Sequence, residues 1–548
     1  MSVAAARPST PLRASYDAIV IGGGINGLTC AAHLGKSGVR TLLIEQRDRV
    51  GGCAAESQLA PGFTVPTLAH ATGPIRSDVV EELQLYVHGL DFSDTAITMS
   101  ALSPDGRALV LWEDPRRTAE GLRAWSAKDA AAWPAFHGSL QRLGALIAGL
   151  FLAAPPSVDA PTTRDVFALL QTLRTFRSLP KADQWRLLRW GPMAVADLVG
   201  EAVENELLRA TIAADGVFGA MLGPWSAGSG LQLLLMHANR AVAWYPTAQS
   251  PRGGGPRPAG RVVARGPITV ARALERAAQR FGVEIRTGDG AHRINVHDER
   301  AVGVTLASGE TFESRAVISA VDPKRTFLAL CDAEHLPPEF LWRIKHYRSR
   351  GTLAKVNLAL SALPAFEGAA RDMLAGRVRL APDLDYLERA FDHAKYGRFS
   401  PHPWIEFTVP SIADASLAPA GAHVLSAYAQ FAPYTLRDGD WDTSREAFGE
   451  CVIDTLEQYA PGIKSLIVAR ETLTPVDFER GWGLSGGQIF HGELSLDQFF
   501  TMRPLLGYGR YSTPLRGLYL CSNGTHPGTG LTGGSGINAA REIARSLS

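Results

Sequence analysis

A glycine-rich turn near the start of the chain, Gly22-Gly23-Gly24-Ile25-Asn26-Gly27, carries the residues best suited to chemistry. Its glycines fall on the spacing GxGxxG, in which Gly22 permits a tight turn and Gly24 lets a phosphate approach the backbone. Gly27 allows the following helix to pack closely on a strand. A helix that begins here offers free N–H groups and about half an elementary positive charge to an anion. The turn therefore predicts a pyrophosphate cradle, with Gly22, Gly24, Asn26 and Gly27 as contacts of a dinucleotide.

The sequence on both sides of this turn supplies the elements that must position it. Residues 17–21 form a short apolar run typical of a buried parallel strand, and small residues after Gly27 mark the packed face of a helix. Residues 41–44 form a second strand-like run that ends on Glu45, about twenty residues after the first glycine. A carboxylate at that point accepts hydrogen bonds from both ribose hydroxyls. Strand, turn, helix, strand and acid in this order predict a Rossmann-like fold.

Three more residues follow the acid at short spacing, namely Arg49, Gly51 and Gly52. The combination of GxGxxG, Glu45 and Arg49-x-Gly51-Gly52 resembles the glutathione-reductase-like flavoproteins, in particular their amine oxidase and phytoene desaturase branch. The resemblance implies FAD rather than NAD, because the larger cofactor passes a second tight backbone approach at the glycine pair. It also implies an α/β fold with a discontinuous Rossmann-like FAD-binding domain and an inserted α+β substrate domain.

A second glycine-rich loop lies near the end of the chain, between a strand-like run at 517–521 and a helix-like run at 537–547. Residues 528–533 repeat the GxGxxG spacing, but too little chain follows for a second strand and acid, so no second dinucleotide fold is expected. Its backbone N–H groups suit the flavin end of the same FAD, with contacts predicted at Gly524, Gly530, Leu531 and Gly533.

The segment Thr525-His526-Pro527-Gly528-x-Gly530 in this loop resembles phytoene desaturases, carotenoid ketolases and retinol saturase. Ser522-Asn523 before it depart from the Gly-Asp pair of amine oxidases, which argues against that branch. In such proteins flavin N5 exchanges the hydride, so the chain needs no catalytic triad. We predict that His526 lies against the isoalloxazine and tunes it or moves a proton, with His491 and Glu493 behind it. A structural His526 is the alternative.

The resemblance divides the chain into five segments. Residues 14–95, 261–330 and 476–548 are expected to form the FAD-binding domain, in which the backbone near Ala291 meets the adenine. Residues 96–260 and 331–475 are expected to form the substrate domain, the first part helical and the second built on a sheet with one covered face. The stretch 250–260 is rich in Gly and Pro and predicts a surface loop.

Composition and charge limit the partners. The 55 Lys and Arg residues nearly balance the 54 Asp and Glu residues, so nucleic acid is not an expected partner. The five cysteines show no CxxC pair and no metal-ligand spacing, which predicts a reducing, cytoplasmic setting and no metal site. No run reaches the ~20 apolar residues of a membrane span. Residues 164–199 alternate apolar and basic side chains, so they predict either peripheral contact with an anionic membrane or an ordinary solvated face.

Three functions remain open at this point. The first is an FAD-dependent oxidoreductase of the phytoene dehydrogenase-like family, which transfers a hydride between flavin and a hydrophobic, polyene or isoprenoid-like substrate. The second is a flavin oxidase of an amine or another small metabolite. The third is an FAD-binding interaction protein without turnover.

Overall fold

A computed structural model of the 548-residue chain describes residues 15–71, 75–94, 96–242 and 261–547. The stretch 250–260, predicted as a surface loop, lies outside the described residues. The strands, in chain order, are β1 (Tyr16–Ile21), β2 (Thr41–Glu45), β3 (Glu56–Ala60), β4 (Phe63–Pro66), β5 (Phe92–Asp94), β6 (Ile97–Leu102), β7 (Ala108–Trp112), β8 (Arg261–Val263), β9 (Glu284–Thr287), β10 (Ala291–His297), β11 (Arg300–Leu306), β12 (Thr311–Ser319), β13 (Leu353–Leu360), β14 (Val378–Leu380), β15 (Trp404–Thr408), β16 (His423–Gln430), β17 (Ile467–Leu473) and β18 (Leu518–Leu520).

The helices, in chain order, are α1 (Ile25–Lys36), α2 (Ser77–Glu82), α3 (Pro115–Leu122), α4 (Ala127–Phe151), α5 (Thr163–Ser178), α6 (Lys181–Trp190), α7 (Val195–Gly200), α8 (Glu206–Ala213), α9 (Ser229–Ala241), α10 (Pro267–Arg280), α11 (Pro323–Arg325), α12 (Pro338–His346), α13 (Arg371–Ala375), α14 (Leu384–Lys395), α15 (Trp441–Tyr459), α16 (Ile463–Leu466), α17 (Pro475–Trp482) and α18 (Gly534–Leu547).

The first sheet is a parallel core with an antiparallel extension. Strands β9, β2, β1, β12 and β18 lie side by side and parallel, and β10 and β11 continue from the start of β12 as an antiparallel pair. All of β2 and all of β1 except Asp17 are buried, as a parallel sheet covered on both faces requires. Helices α1, α10 and α18 pack together on one face of this sheet.

The second sheet is mainly antiparallel, in the order β17, β13, β16, β15, β14, β6 and β7, with β14 and β6 parallel. Its apolar side chains pack with α15 on one face. The other face carries polar side chains such as Lys355 and Asn357 of β13, yet every residue of β13 is buried. The expectation of a sheet with one covered face is therefore wrong. The polar face looks into the molecule, because other elements cover it.

A helical layer accompanies the second sheet. Helices α4, α8, α9 and α14 contribute to one large apolar core with residues of β6, β7 and β15. Helix α5 differs, because Asp165 is its only buried residue. None of the described helices combines the length and the apolar character needed to cross a bilayer.

The predicted α/β class with a Rossmann-like domain is confirmed. The first sheet takes its strands from residues 16–45, 284–319 and 518–520, so three separated stretches of chain form one structural unit. The second sheet takes its strands from residues 97–112 and 353–473. The predicted boundaries between the five segments stay a prediction. Strand β10 was not predicted, because its sequence alternates irregularly and is mostly exposed.

Candidate functional site

A cleft of about 960 Å³ runs along the carboxyl ends of the strands of the first sheet. The ends of parallel strands are where ligands bind in open α/β sheets. Eight of the predicted cofactor contacts line this cleft, namely Gly22, Gly24, Asn26, Gly27, Glu45, Gly52, Ala291 and Leu531. They come from both ends and the middle of the chain, which the first sheet brings together.

The glycine turn has the geometry that a pyrophosphate cradle needs. Gly22 has a φ of +101°, which L side chains rarely adopt. A Cβ on Gly27 would lie 1.9 Å from the carbonyl oxygen of Gly22, so only glycine allows this approach of helix to strand. A Cβ on Gly24 would meet nothing within 4 Å and would project into the cleft that Gly24 lines. No side chain caps the start of α1, so its first N–H groups are free for an anion.

Glu45 stands at the predicted ribose end of the cleft. Its carboxylate accepts hydrogen bonds from the Gly23 N–H at 2.8 Å and the Arg47 N–H at 2.9 Å, which fix its orientation. Each carboxylate oxygen keeps a lone pair for a further donor. The neighbouring Ala291 begins β10 and lines the same end of the cleft. The arrangement can accept the hydroxyls of a ribose beside a backbone wall.

The structure places Arg49 away from the cleft and Arg47 in it. Arg49 is exposed, binds the carboxylate of Asp48 at 2.8 Å, and lines a separate surface groove. Arg47 lines the cleft with its guanidinium 4.8 Å from the ring centre of Trp482, and its buried Nη1 has no hydrogen-bond partner. The sequence signal for Arg47 was its position two residues after the acid, and Arg49 took precedence only through the family pattern. The predicted contact of Arg49 with the cofactor stays a prediction.

The glycines of the second loop serve close packing more than contact with the cleft. A Cβ on Gly524 would lie 2.3 Å from Pro323, and Gly533 with a φ of +74° packs against Thr29 and Val79. Gly51 donates its N–H to Gly23 at 2.8 Å and so ties the two predicted backbone approaches together. Gly51, Gly524, Gly530 and Gly533 do not line the cleft themselves, and their cofactor contacts stay predictions.

Asn26 joins the two loops. Its Nδ2 donates to Oδ1 of Asn523 at 3.0 Å, and its own Oδ1 accepts from the Gly536 N–H at 3.3 Å. Both asparagines line the cleft. The first and last segments of the chain are therefore bonded to each other at the site itself.

His526 does not line the cleft. Its Nε2–H donates to the carbonyl oxygen of Leu150 at 2.8 Å, and the rings of Phe151, Phe499 and Phe500 surround it. The side chain is fully buried, and burial lowers the pKa of His526 to about 3, so the imidazole is neutral. Its catalytic role stays a prediction, and the geometry supports the structural alternative.

His491 is the histidine that the structure places in the cleft. Its buried Nδ1 has no hydrogen-bond partner. Burial, and then the nearby charge of Arg503, lower the pKa of His491 to about 3. The loop of His491 and the residue Asn523 are held together by the fully buried Arg503, whose guanidinium donates to backbone oxygens of Phe490, Gly492, Glu493, Gln498 and Asn523.

A network of buried ionisable groups lies behind Cys53, which also lines the cleft. The Ala69 N–H donates to the Cys53 carbonyl at 3.0 Å and places His70 next to it. Lys355 donates from Nζ to His70 Nδ1 at 2.7 Å and lies 4.1 Å from the ring centre of Tyr428. Burial lowers the pKa of Lys355 well below its ordinary value and that of His70 to about 3. The predictions missed Lys355, whose signal was a lysine inside a strongly apolar strand.

The residues present fit a dinucleotide cofactor. The cleft joins a glycine cradle at a free helix start to an acid placed for ribose hydroxyls. The unpartnered nitrogens of Arg47 and His491 both belong to its lining, and buried polar atoms normally have a partner. An anionic, hydrogen-bonding ligand that extends along the cleft supplies those partners.

Comparisons with known proteins agree with this geometry. Residues 20–83 match the family described as NAD(P)-binding Rossmann-like domain. The chain is 35% identical to the rat protein "Pyridine nucleotide-disulfide oxidoreductase domain-containing protein 2", over 98% of this chain and 94% of that protein. It is 24% identical to a limonene dehydrogenase of Castellaniella defragrans over 97% and 95% of the two chains. Identity to the lycopene-forming phytoene desaturase of Pantoea ananas is 25%, over 94% and 96%.

A solved structure shares the whole fold. It is that of a putrescine oxidase triple mutant, with a TM-score of 0.58 at 15% identity over 97% of this chain and 99% of that one. The dinucleotide-binding match and this amine-oxidase-type fold support FAD as the cofactor. The chain belongs to the family of pyridine nucleotide-disulfide oxidoreductase domain-containing protein 2 and is an FAD-dependent oxidoreductase of the amine oxidase superfamily.

Proposed function

We propose that this protein transfers a hydride between FAD and a hydrophobic, isoprenoid-like substrate. The observation that carries the proposal is the apolar wall at one side of the cleft. Leu484, which lines the cleft, belongs to a cluster with Leu68, Leu353 and Phe478. Cys53 and Trp482 of the cleft pack against the same cluster together with Phe218, Tyr428 and Ile489. A wall of this kind stabilises an apolar substrate and excludes water.

The named relatives support this substrate class. Limonene and phytoene, which appear in the names of two full-length relatives, are both isoprenoid hydrocarbons. The departure at Ser522-Asn523 from the amine oxidase pattern points in the same direction. An amine substrate would also require charged groups on a wall that is mostly apolar.

FAD supplies the hydride chemistry when it is bound, through N5 of the flavin ring. The chain itself holds the cofactor by the glycine cradle, Glu45 and Arg47. Lys355 and His70 are suited to hold or move a proton, because the amine is buried, hydrogen-bonded and of lowered pKa. The apolar wall keeps water away from the reacting face.

The test uses the purified holoprotein under anaerobic conditions. Limonene and phytoene in detergent are mixed with the oxidised protein, and flavin absorbance is followed, with putrescine as the comparison compound. We expect an isoprenoid to bleach the flavin, or photoreduced flavin to be reoxidised by a polyene. Bleaching by the amine alone would favour an amine oxidase, and no response to any hydrocarbon would overturn the proposal.

We further propose that α5 lies on an anionic membrane surface from which such a substrate is drawn. Helix α5 exposes five large apolar side chains, Val166, Phe167, Leu169, Leu170 and Leu173. Soluble surfaces rarely expose so many contiguous apolar groups without a function. Helix α6 adds Trp185 and Leu188, which are 67% and 62% exposed. Arg174, Arg177 and Lys181 lie among them and match the charge of an anionic lipid surface.

Flotation with vesicles of anionic and of neutral lipid tests this surface. The unaltered protein is expected to float with anionic vesicles at low salt and to dissociate as salt rises. The double variant Phe167→Asp/Leu170→Asp should stay at the bottom of the gradient. The matched control Val87→Asp/Val468→Asp removes two exposed apolar residues elsewhere and should float normally. Equal behaviour of the two double variants would remove the membrane proposal.

A further inference from the structure

A second concave site lies beside the cofactor cleft. It is a groove of about 1610 Å³, and two residues, Arg325 and Gly483, line both the groove and the cleft. Its walls come from α11, the segment between α12 and β13, the end of α14, and the start of the loop after α17. We call this site the basic groove.

The basic groove has an excess of positive charge. Six cationic side chains line it, and Glu479 is the one carboxylate among the described lining residues. The cations are Lys324, Arg325, Lys345, Arg348, Arg350 and Lys395. Arg348 and Arg350 are neutralised by Glu493 behind the wall, where Arg348 also binds Asp497. The chain as a whole has a net charge of only +1, so this concentration is local.

Three lysines of the basic groove keep their charge available. In the described part of the chain, Lys324, Lys345 and Lys395 form no ion pair with a carboxylate, and Lys345 and Lys395 are exposed. Arg325 binds the neutral Oε1 of Gln46 at 3.0 Å instead of an acid. Lys324 is half-buried, and burial lowers its pKa. An ammonium that loses water without gaining a carboxylate is stabilised by an anionic ligand.

The floor of the basic groove adjoins the apolar wall described above. Gly351 lines the groove, and its N–H donates to Gly486, another lining residue, at 2.8 Å. Gln488, two residues farther on, donates to the carbonyl oxygens of Gly219 and Arg350 at 2.9 and 3.2 Å. Gly219 in turn packs on Ile489, which belongs to the apolar wall. The cations and the apolar chamber are thus separated by a single layer of backbone.

From this arrangement we propose that the substrate is an amphiphile, with a phosphate or carboxylate at one end of an apolar chain. The anionic head binds Lys324, Lys345 and Lys395 in the basic groove, and the chain enters the apolar chamber beside the flavin. This inference rests on the proposed function and names the substrate class for that same site. Phosphate and carboxylate share the chemistry that the lysines recognise, namely a small anion that accepts several hydrogen bonds.

The experiment compares dodecyl phosphate, dodecanoate and dodecan-1-ol, all below their micellar concentrations, on the FAD-loaded full-length protein. Calorimetry measures binding, and flavin absorbance reports whether the chain reaches the chamber. We expect at least one of the two anions to bind ten-fold or more tightly than the alcohol and to perturb the flavin. The better anion tells whether the head is a phosphate or a carboxylate. Inorganic pyrophosphate is expected to weaken its binding by competition.

Charge reversal at two exposed lysines isolates the groove. The variant Lys345→Glu/Lys395→Glu should lose the ten-fold preference for the anion and bind the alcohol unchanged. The control Lys128→Glu/Lys464→Glu makes the same change of charge at two exposed lysines outside the groove and should keep the preference. Both variants alter surface residues, so folding is expected to survive.

The outcomes separate this inference from the function beneath it. Equal affinity for the alcohol and the anions, or an unchanged preference in Lys345→Glu/Lys395→Glu, overturns the amphiphile and leaves the apolar substrate standing. Anion binding that never perturbs the flavin also overturns it, because the chain then lies outside the chamber. Failure of all three probes to bind or to perturb the flavin counts against the proposed apolar chamber itself.

Discussion

At the scale of single residues, two neighbouring arginines have opposite surroundings. Arg47 lies in the cleft with a buried nitrogen that lacks a partner, whereas Arg49 lies in solvent against Asp48. A hydrogen bond from a charged donor contributes about 1.5–3 kcal/mol when its partner is present. The surface pair of Arg49 contributes little, because solvent screens it.

We therefore expect Arg47→Met to weaken FAD binding by roughly 10- to 100-fold, on the scale of a charged hydrogen bond. Arg49→Met, in the same loop, should bind FAD as the unaltered protein does. Titration of the apoprotein with FAD, followed by flavin fluorescence, measures both. A larger loss in Arg49→Met than in Arg47→Met would restore the family assignment of that arginine.

His526 is expected to serve the structure. His526→Gln removes the imidazole from its phenylalanine cage and disturbs the bond to Leu150, so the free energy of unfolding should fall by about 1–3 kcal/mol. The rate of flavin reduction by substrate should change little once the variant is loaded with FAD. Chemical denaturation and stopped-flow absorbance measure the two quantities. A large loss of rate with normal stability would instead place His526 in the chemistry.

At the scale of elements, the turn between β1 and α1 separates two uses of glycine. Gly24 faces the open cleft, and Gly27 presses against the Gly22 carbonyl. The same substitution at these two positions therefore has different consequences. Gly24→Ala should keep the fold and lower FAD affinity at least ten-fold, about 1.4 kcal/mol, because the added methyl group occupies the cofactor's space.

Gly27→Ala should instead destabilise the apoprotein, since a contact of 1.9 Å forces α1 away from the sheet. The expected cost is about 1–3 kcal/mol or more. Gly149→Ala in α4, where a Cβ meets nothing within 4 Å, is the matched control and should be neutral or slightly stabilising. Thermal unfolding of the apoproteins, together with FAD titration, distinguishes the three. Equal melting temperatures for Gly24→Ala and Gly27→Ala would contradict this assignment.

At the scale of the whole molecule, the burial of histidines makes the fold sensitive to acid. Burial lowers the pKa values of His70, His237, His491 and His526 from 6.5 to about 3. The unfolded chain therefore binds more protons between pH 6.5 and 3, and the free energy of unfolding falls as the pH drops through that range. Above pH 6.5 these groups have no effect.

Each such histidine costs about 1.4 kcal/mol at pH 5.5, and four together approach the 5–15 kcal/mol of a whole domain. We expect a steep loss of stability between pH 7 and 5.5 in denaturant unfolding. His526→Gln should reduce the slope by one proton, whereas replacing the exposed His297 by Gln should leave it unchanged. A pH-independent free energy of unfolding over this range would refute the neutral, buried state of these histidines.

The sequence alone determined the dinucleotide cradle, because a tight turn, a helix start and an acid at a set distance are local constraints on backbone geometry. The class of fold and the cofactor followed from the same residues and the resemblance they carry. What only the tertiary structure decided is which side chains face the cleft. Arg47 rather than Arg49, His491 rather than His526, and the amine of Lys355 are selected by contacts between segments hundreds of residues apart, and residue type and spacing hold no record of those contacts.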